Sequence, residues 1–159
     1  MNETSMRTIQ KIVSGGQAGV DRAALDAAMA RGLPVGGWCP KGRRAEDGVI
    51  DPIYPLIETP DEPYAQRTAW NVRDSDGTLV LLFDQPSPGT KLTIETANTL
   101  GKAHLLVDLT AHSEAMDALR WLEEKGIQVL NVAGPRESEA PGIYEAARTF
   151  LDDLFSKVR

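Results

Sequence analysis

Residues 11–28 read KIVSGGQAGVDRAALDAA. A short apolar strand runs into two adjacent glycines, a third glycine at position 19, and an alanine-rich helix. A buried turn needs one such glycine. Three at the mouth of a helix indicate that something approaches the backbone closely there. Two readings compete. Either the turn only packs helix against strand, or its N–H groups and the positive end of the helix dipole hold an anion. The dipole supplies roughly 0.3–1 kcal/mol, so an anion site needs several N–H contacts besides. The anion reading is favoured, on Gly15, Gly16, Gln17 and Gly19. The stretch is not GxGxxG, and the second strand ends in VGGWC (35–39) with no carboxylate for a ribose hydroxyl, which argues against a nicotinamide dinucleotide. It is not a GxxxxGK[ST] loop either.

Working outward, strands are expected near 8–14, 34–38, 54–58, 78–83, 103–108 and 127–132. Helices are expected near 20–31, 62–74, 91–100, 113–125 and 141–157. Several strands are continuous Val, Ile and Leu runs, the pattern of buried parallel strands. In the last helix, Ile143, Ala146, Ala147, Phe150, Leu151 and Leu154 trace one apolar stripe. The alternation predicts an α/β fold, a doubly wound, mainly parallel sheet with helices on both faces. No linker or repeat divides residues 1–159, so one domain is expected. The irregular stretch WCPKGRRAEDGVIDP (38–52) is of a length that usually carries function.

The 159 residues are 42% hydrophobic and 25% charged, with a net charge of −6. A chain of this size buries roughly 70% of its unfolded surface, enough for a real core. The acidity argues against a nucleic-acid or anionic-membrane partner. The longest apolar run, TLVLLF (78–83), is too short to span a bilayer. MNETSMRTIQ lacks the apolar segment of a secretory signal, and a single cysteine, Cys39, excludes internal disulfides. A cytoplasmic location is therefore expected. Cys39 as a nucleophile is disfavoured, because neither His104 nor His112 sits in a partner motif.

Ligands of such sheets bind beyond the carboxyl ends of the strands. After the second strand, Lys41, Arg43 and Arg44 form a cationic patch followed by Glu46 and Asp47. It reads either as a self-paired charge run or as part of a ligand site. In the helix before the fourth strand, Arg67, Asn71 and Asp74 share one face, and Ala65, Ala69 and Val72 another, expected to be packed. After the fourth strand, Gly89, Thr90 and Thr93 offer an N-cap or a second phosphate cradle. Asp108, after the fifth, reads as a turn residue. After the sixth, Gly134, Arg136 and Ser138 again combine flexible backbone with a cation.

Five motifs together carry a resemblance: SGGQAGVDRAALDAA (14–28), GWCPKGRRAEDG (37–48), RTAWNVRDSDGTLVL (67–81), PGTKLT (88–93) and LNVAGPRES (130–138). Over about residues 10–155 the chain resembles the molybdenum cofactor carrier-like family. That family belongs with a nucleotide-binding group that includes the lysine-decarboxylase-like proteins, the LOG phosphoribohydrolases and the DNA-processing protein DprA. The resemblance implies a Rossmann-like fold and a phosphate-containing ligand. The candidates are molybdenum cofactor, a phosphate-bearing pterin with dithiolene-bound molybdenum, or a nucleotide. It also implies a homo-oligomer, as does the presence of Trp70, Trp121 and Tyr144 on the helices.

Carried over by motif, the LOG glycine loop falls on Gly15, Gly16 and Gly19, and the LOG arginine on Arg67. The PGGxGTxxE motif falls partly on Pro86, Gly89 and Thr90. Its glutamate position is Thr93, and its first glycines are Ser87 and Pro88. Glu95 lies two residues on, about 200° around the helix, and does not substitute. The cradle is kept and the carboxylate lost. A carrier without catalytic residues is thus favoured over a hydrolase using Arg67 with Asp74, Asp76 or Glu46. A nucleotide-sensing subunit is a third reading. No metal site is expected, since Cys39 is the single soft donor.

Overall fold

The computed structural model describes residues 9–158. The chain begins β1 (Lys11–Val13), α1 (Val20–Ala30), β2 (Val35–Gly36), β3 (Trp38–Cys39), β4 (Arg44–Ala45), β5 (Gly48–Val49) and β6 (Ile57–Glu58). It continues α2 (Tyr64–Arg73), β7 (Gly77–Leu82), α3 (Pro88–Leu100), β8 (Ala103–Asp108), α4 (Ala115–Lys125), β9 (Val129–Ala133) and α5 (Ile143–Lys157). Five strands make one sheet in the order β2-β1-β9-β7-β8, with every neighbour parallel. β7 is buried along its whole length, as a strand covered on both faces must be. Its alternate residues Leu79 and Leu81 join Ile12, Leu130 and Val132 in the main core, under α1, α4 and α5. α2 and α3 pack on each other against the opposite face. The Rossmann-like, doubly wound α/β architecture is the one expected.

The third expected strand is different. Residue 8 of the stretch 8–14, like the first eight residues searched for a signal, lies outside the described residues. The stretch 54–58 does not join the main sheet. Pro52 and Pro55 supply no N–H to a ladder, and Tyr54 N–H closes a turn on Asp51 O at 3.1 Å. Only Ile57–Glu58 pairs, with Trp38–Cys39, in a separate two-stranded sheet. The irregular stretch also folds back as a β4–β5 hairpin.

Two further expectations are corrected. α3 starts at Pro88, with the Ser87 hydroxyl accepting Thr90 N–H at 3.3 Å, so neither Thr90 nor Thr93 is the N-cap. On α2, Ala65 is exposed and Ala69 half-buried, and only Val72 of that face is buried. Of the polar face, Arg67 and Asn71 turn inward and Asp74 stays exposed; Asn71 Oδ1 accepts Trp38 N–H (2.8 Å) and Asn71 Nδ2 donates to Trp38 O (3.0 Å). Of the three aromatics, Trp121 is part of the core, and the Tyr144 hydroxyl donates to Asp26. Tyr144 and Trp70 are half-buried. Among the described residues, no helix is long and apolar enough to cross a membrane.

The excursion between β3 and α2 hangs on Arg43. Its guanidinium donates to four carbonyls, those of Ile50 (3.2 Å), Leu56 (3.1 Å), Asp51 (2.9 Å) and Tyr54 (2.9 Å). Arg43→Met should lower the unfolding free energy by about 1.5–3 kcal/mol, the scale for bonds to a charged donor. Urea denaturation checks the cost, and limited proteolysis should find new cleavage within 40–58.

Candidate functional site

The chain leaves β1 toward β2 and leaves β7 toward β8, on opposite sides of β9. The loops part at the carboxyl ends, and a cleft opens there. It holds about 680 Å³ including its open mouth. Of the expected site residues, Gly15, Gln17, Arg67, Asn71, Gly89, Thr90, Thr93, Gly134 and Arg136 line it. Asp21, Tyr64, Thr68, Ser87, Asn131 and Glu139 line it as well and were not among the expected residues.

Arg67 reaches from α2 over the first glycine. A Cβ on Gly15 would lie 1.5 Å from Arg67 Nη1. There Nη1 meets Asp21 Oδ2 at 2.8 Å, with the two side chains 14% and 6% exposed. Arg67 Nε is buried and has no hydrogen-bond partner. On the far wall, Arg136 Nη2 pairs with Glu139 at 3.3 Å. Ser87 and Thr90 share a hydroxyl hydrogen bond of 2.9 Å at the start of α3, and the Thr93 hydroxyl donates to Gly89 O at 3.1 Å. The two lining arginines thus face two lining carboxylates.

The glycine loop itself is largely spent on the protein. Gly16 N–H donates to Ser14 Oγ (3.2 Å), Gln17 N–H to Asp21 Oδ2 (3.2 Å), Ala18 N–H to Gln17 Oε1 (3.0 Å) and Val20 N–H to Pro135 O (3.3 Å). Gly16 turns from the cleft, and a Cβ there would meet Leu56 and Ile50. Gly19, at φ 101°, is needed where a Cβ would stand 2.5 Å from Pro135 O. Gln17, though lining the cleft, also takes Glu46 N–H at 2.7 Å and so fastens the hairpin to the loop.

Lys41, Arg43 and Ser138 are not brought to the cleft. Lys41 is exposed, and Arg43 is committed to the four carbonyls above. Ser138 donates its hydroxyl to Glu46 Oε1 and its N–H to Glu46 Oε2. The carboxylates considered for hydrolysis are elsewhere too. Asp74 is held by Arg73 (2.7 Å) and by Trp38 Nε1 (2.8 Å), and its hydrogen bond from Arg73 lowers its pKa. Asp76 accepts the N–H groups of Gln128 and Val129 where β9 begins. Asp108 accepts from Asp84 and Thr110 in its turn. Cys39 is fully buried, and burial pushes its thiol pKa up. Among the described residues, no group of three or more His, Cys, Asp or Glu is placed to hold a metal ion.

Residues 12–155 match the family model cpYpsA, described as the circularly permutated YpsA SLOG family. The chain belongs to that family. Within the cpYpsA fold it is similar to the crystal structure of a putative molybdenum carrier protein from Syntrophus aciditrophicus SB, at 43% identity and a TM-score of 0.91. That match covers 97% of this chain and 99% of the other. The resemblance carried by the five motifs is thereby borne out. Among curated proteins, none matches this chain.

Gly15→Ala should drive the Arg67 guanidinium off Asp21. Urea unfolding of Gly15→Ala, Arg67→Ala and the double variant checks this. The Gly15→Ala cost should largely vanish in the Arg67→Ala background, with a coupling of about 0.5–3 kcal/mol.

Proposed function

We propose that this protein binds a phosphate-containing small molecule, a phosphorylated pterin such as molybdenum cofactor or a nucleotide, at the carboxyl ends of β1, β9 and β7. The observation that carries this reading is Arg67 Nε, a buried donor without a partner on a residue that lines the cleft. Leaving such a donor unsatisfied costs about 1–3 kcal/mol, and a ligand oxyanion would remove that cost. Gly89 and Thr90, in the first turn of α3, lie along the same wall, where the helix dipole favours negative charge.

The residues present fit the phosphate of such a cofactor better than its metal. Arg67, Gly89 and Thr90 would hold the phosphate, and molybdenum cofactor, when bound, would bring its metal on its own dithiolene. A carrier also agrees with Thr93. Its side chain has no carboxylate where the LOG motif has a glutamate, and its hydroxyl is already bonded to Gly89 O. The two carboxylates that do line the cleft, Asp21 and Glu139, are each paired with an arginine. The name of the Syntrophus relative points the same way.

Calorimetric titration with adenosine monophosphate and with a phosphorylated pterin tests the proposal. Arg67→Ala should weaken the ligand that binds by on the order of 1.5–3 kcal/mol, the scale of a charge-assisted hydrogen bond. Arg67→Lys should also weaken it, because an ammonium cannot make two parallel bonds to phosphate. Release of free base from nucleoside monophosphates, abolished in Arg67→Ala, would replace the carrier reading with a hydrolase.

A further inference from the structure

At the first glycine loop, the place an anion would take is filled by the chain's own carboxylate. Asp21 Oδ2 accepts from Gln17 N–H at 3.2 Å and from Arg67 Nη1 at 2.8 Å. It also lies 3.0 Å from where a Cβ of Gly15 would stand. Backbone N–H, guanidinium and glycine are the three elements of an oxyanion seat. Here they surround a side chain that is only 6% exposed. The neighbouring N–H groups of Gly16, Ala18 and Val20 are occupied as well. The other lining arginine, Arg136, is engaged by Glu139 and does not neutralise Asp21.

We propose that Asp21 is a selectivity-determining residue: its carboxylate fills the glycine-loop seat and keeps bare oxyanions, free phosphate or sulfate, from binding at Arg67. This rests on the reading of the cleft as a phosphate site and deepens it. Like charges a few ångström apart in a partly buried site repel strongly. A free oxyanion approaching Arg67 meets that repulsion with few compensating contacts. A phosphorylated ligand places its phosphate between Arg67 and the start of α3, which line the same cleft, and adds the contacts of its remaining atoms. The device lets the protein hold a phosphate ester in a cell full of inorganic phosphate.

The test is titration of inorganic phosphate into the wild-type protein, Asp21→Asn and Glu139→Gln, followed by calorimetry and by amide ¹⁵N spectra. Asparagine keeps the shape and removes the charge, so its weaker acceptor can yield Gln17 N–H to an incoming oxyanion. Asp21→Asn should bind phosphate at least about tenfold tighter than wild type, with the Gln17 amide shifting. Glu139→Gln removes the same charge from the far wall and should gain less than about twofold. In the wild type, the Gln17 amide should stay in place. An Asp21→Asn affinity no higher than wild type, an equal gain in Glu139→Gln, or a phosphate-induced shift of Gln17 in the wild type would each overturn the proposal. If Asp21→Asn fails to fold, the wild-type spectra decide alone: tight phosphate binding with a Gln17 shift refutes it, and its absence supports it. Failure of Asp21→Asn to gain phosphate while adenosine monophosphate or the pterin binds overturns this inference only. Failure of every phosphate-bearing probe overturns the cleft reading with it.

Discussion

Arg67 and Asp21 meet at 2.8 Å above a glycine that could carry no side chain without breaking their contact. The rest of the cleft follows from this pair. An ion pair taken this far from water costs desolvation that Coulomb attraction alone does not reliably offset. It persists where further hydrogen bonds complete it, and Gln17 N–H supplies one to Asp21. Arg67 remains incomplete, with Nε buried and unpartnered. A guanidinium that lines a cleft with one donor unsatisfied has capacity for an acceptor that the chain itself does not provide.

The excursion between β3 and α2 makes this geometry possible. Arg43 gathers its carbonyls from inside, and Arg22 clasps Asp47 from outside at 3.0 Å while donating to Gly16 O. Gln17 and Glu46 then tie the hairpin to the glycine loop and to the loop after β9. Asn71 holds Trp38 from α2. Cations and amides that resemble ligand groups in the sequence therefore serve as braces that hold α2, and with it Arg67, over β1.

The sheet was legible in the sequence because its strands are continuous apolar runs, a pattern that burial on both faces imposes; GTLVLL of β7 is the clearest case. Gly89, Thr90 and Arg136 could be placed at the cleft because strand-end loops of this fold point to one edge of the sheet, and Arg67, on α2, because its helix face and the family motif singled it out. Of the charge run that read either way, Arg43 turns inward onto carbonyls, which a linear pattern of charges does not reveal. Asp21 was visible as the second residue of the first helix, but its meeting with Arg67 spans 46 positions and leaves no local signal. Pro52 and Pro55 were the sign that 54–58 would not extend the main sheet.

Taken together, the cleft is close to neutral, built of two arginine–carboxylate pairs, and framed on one side by the start of a helix. Such a site suits a ligand that is more than an anion. The most direct measurement of the central claim is native mass spectrometry of the protein isolated from its own cells, followed by elemental analysis of whatever it carries. The account predicts a bound small molecule that contains phosphorus and is absent from Arg67→Ala prepared in the same way. A bound molecule without phosphorus, or one retained in full by Arg67→Ala, would contradict it.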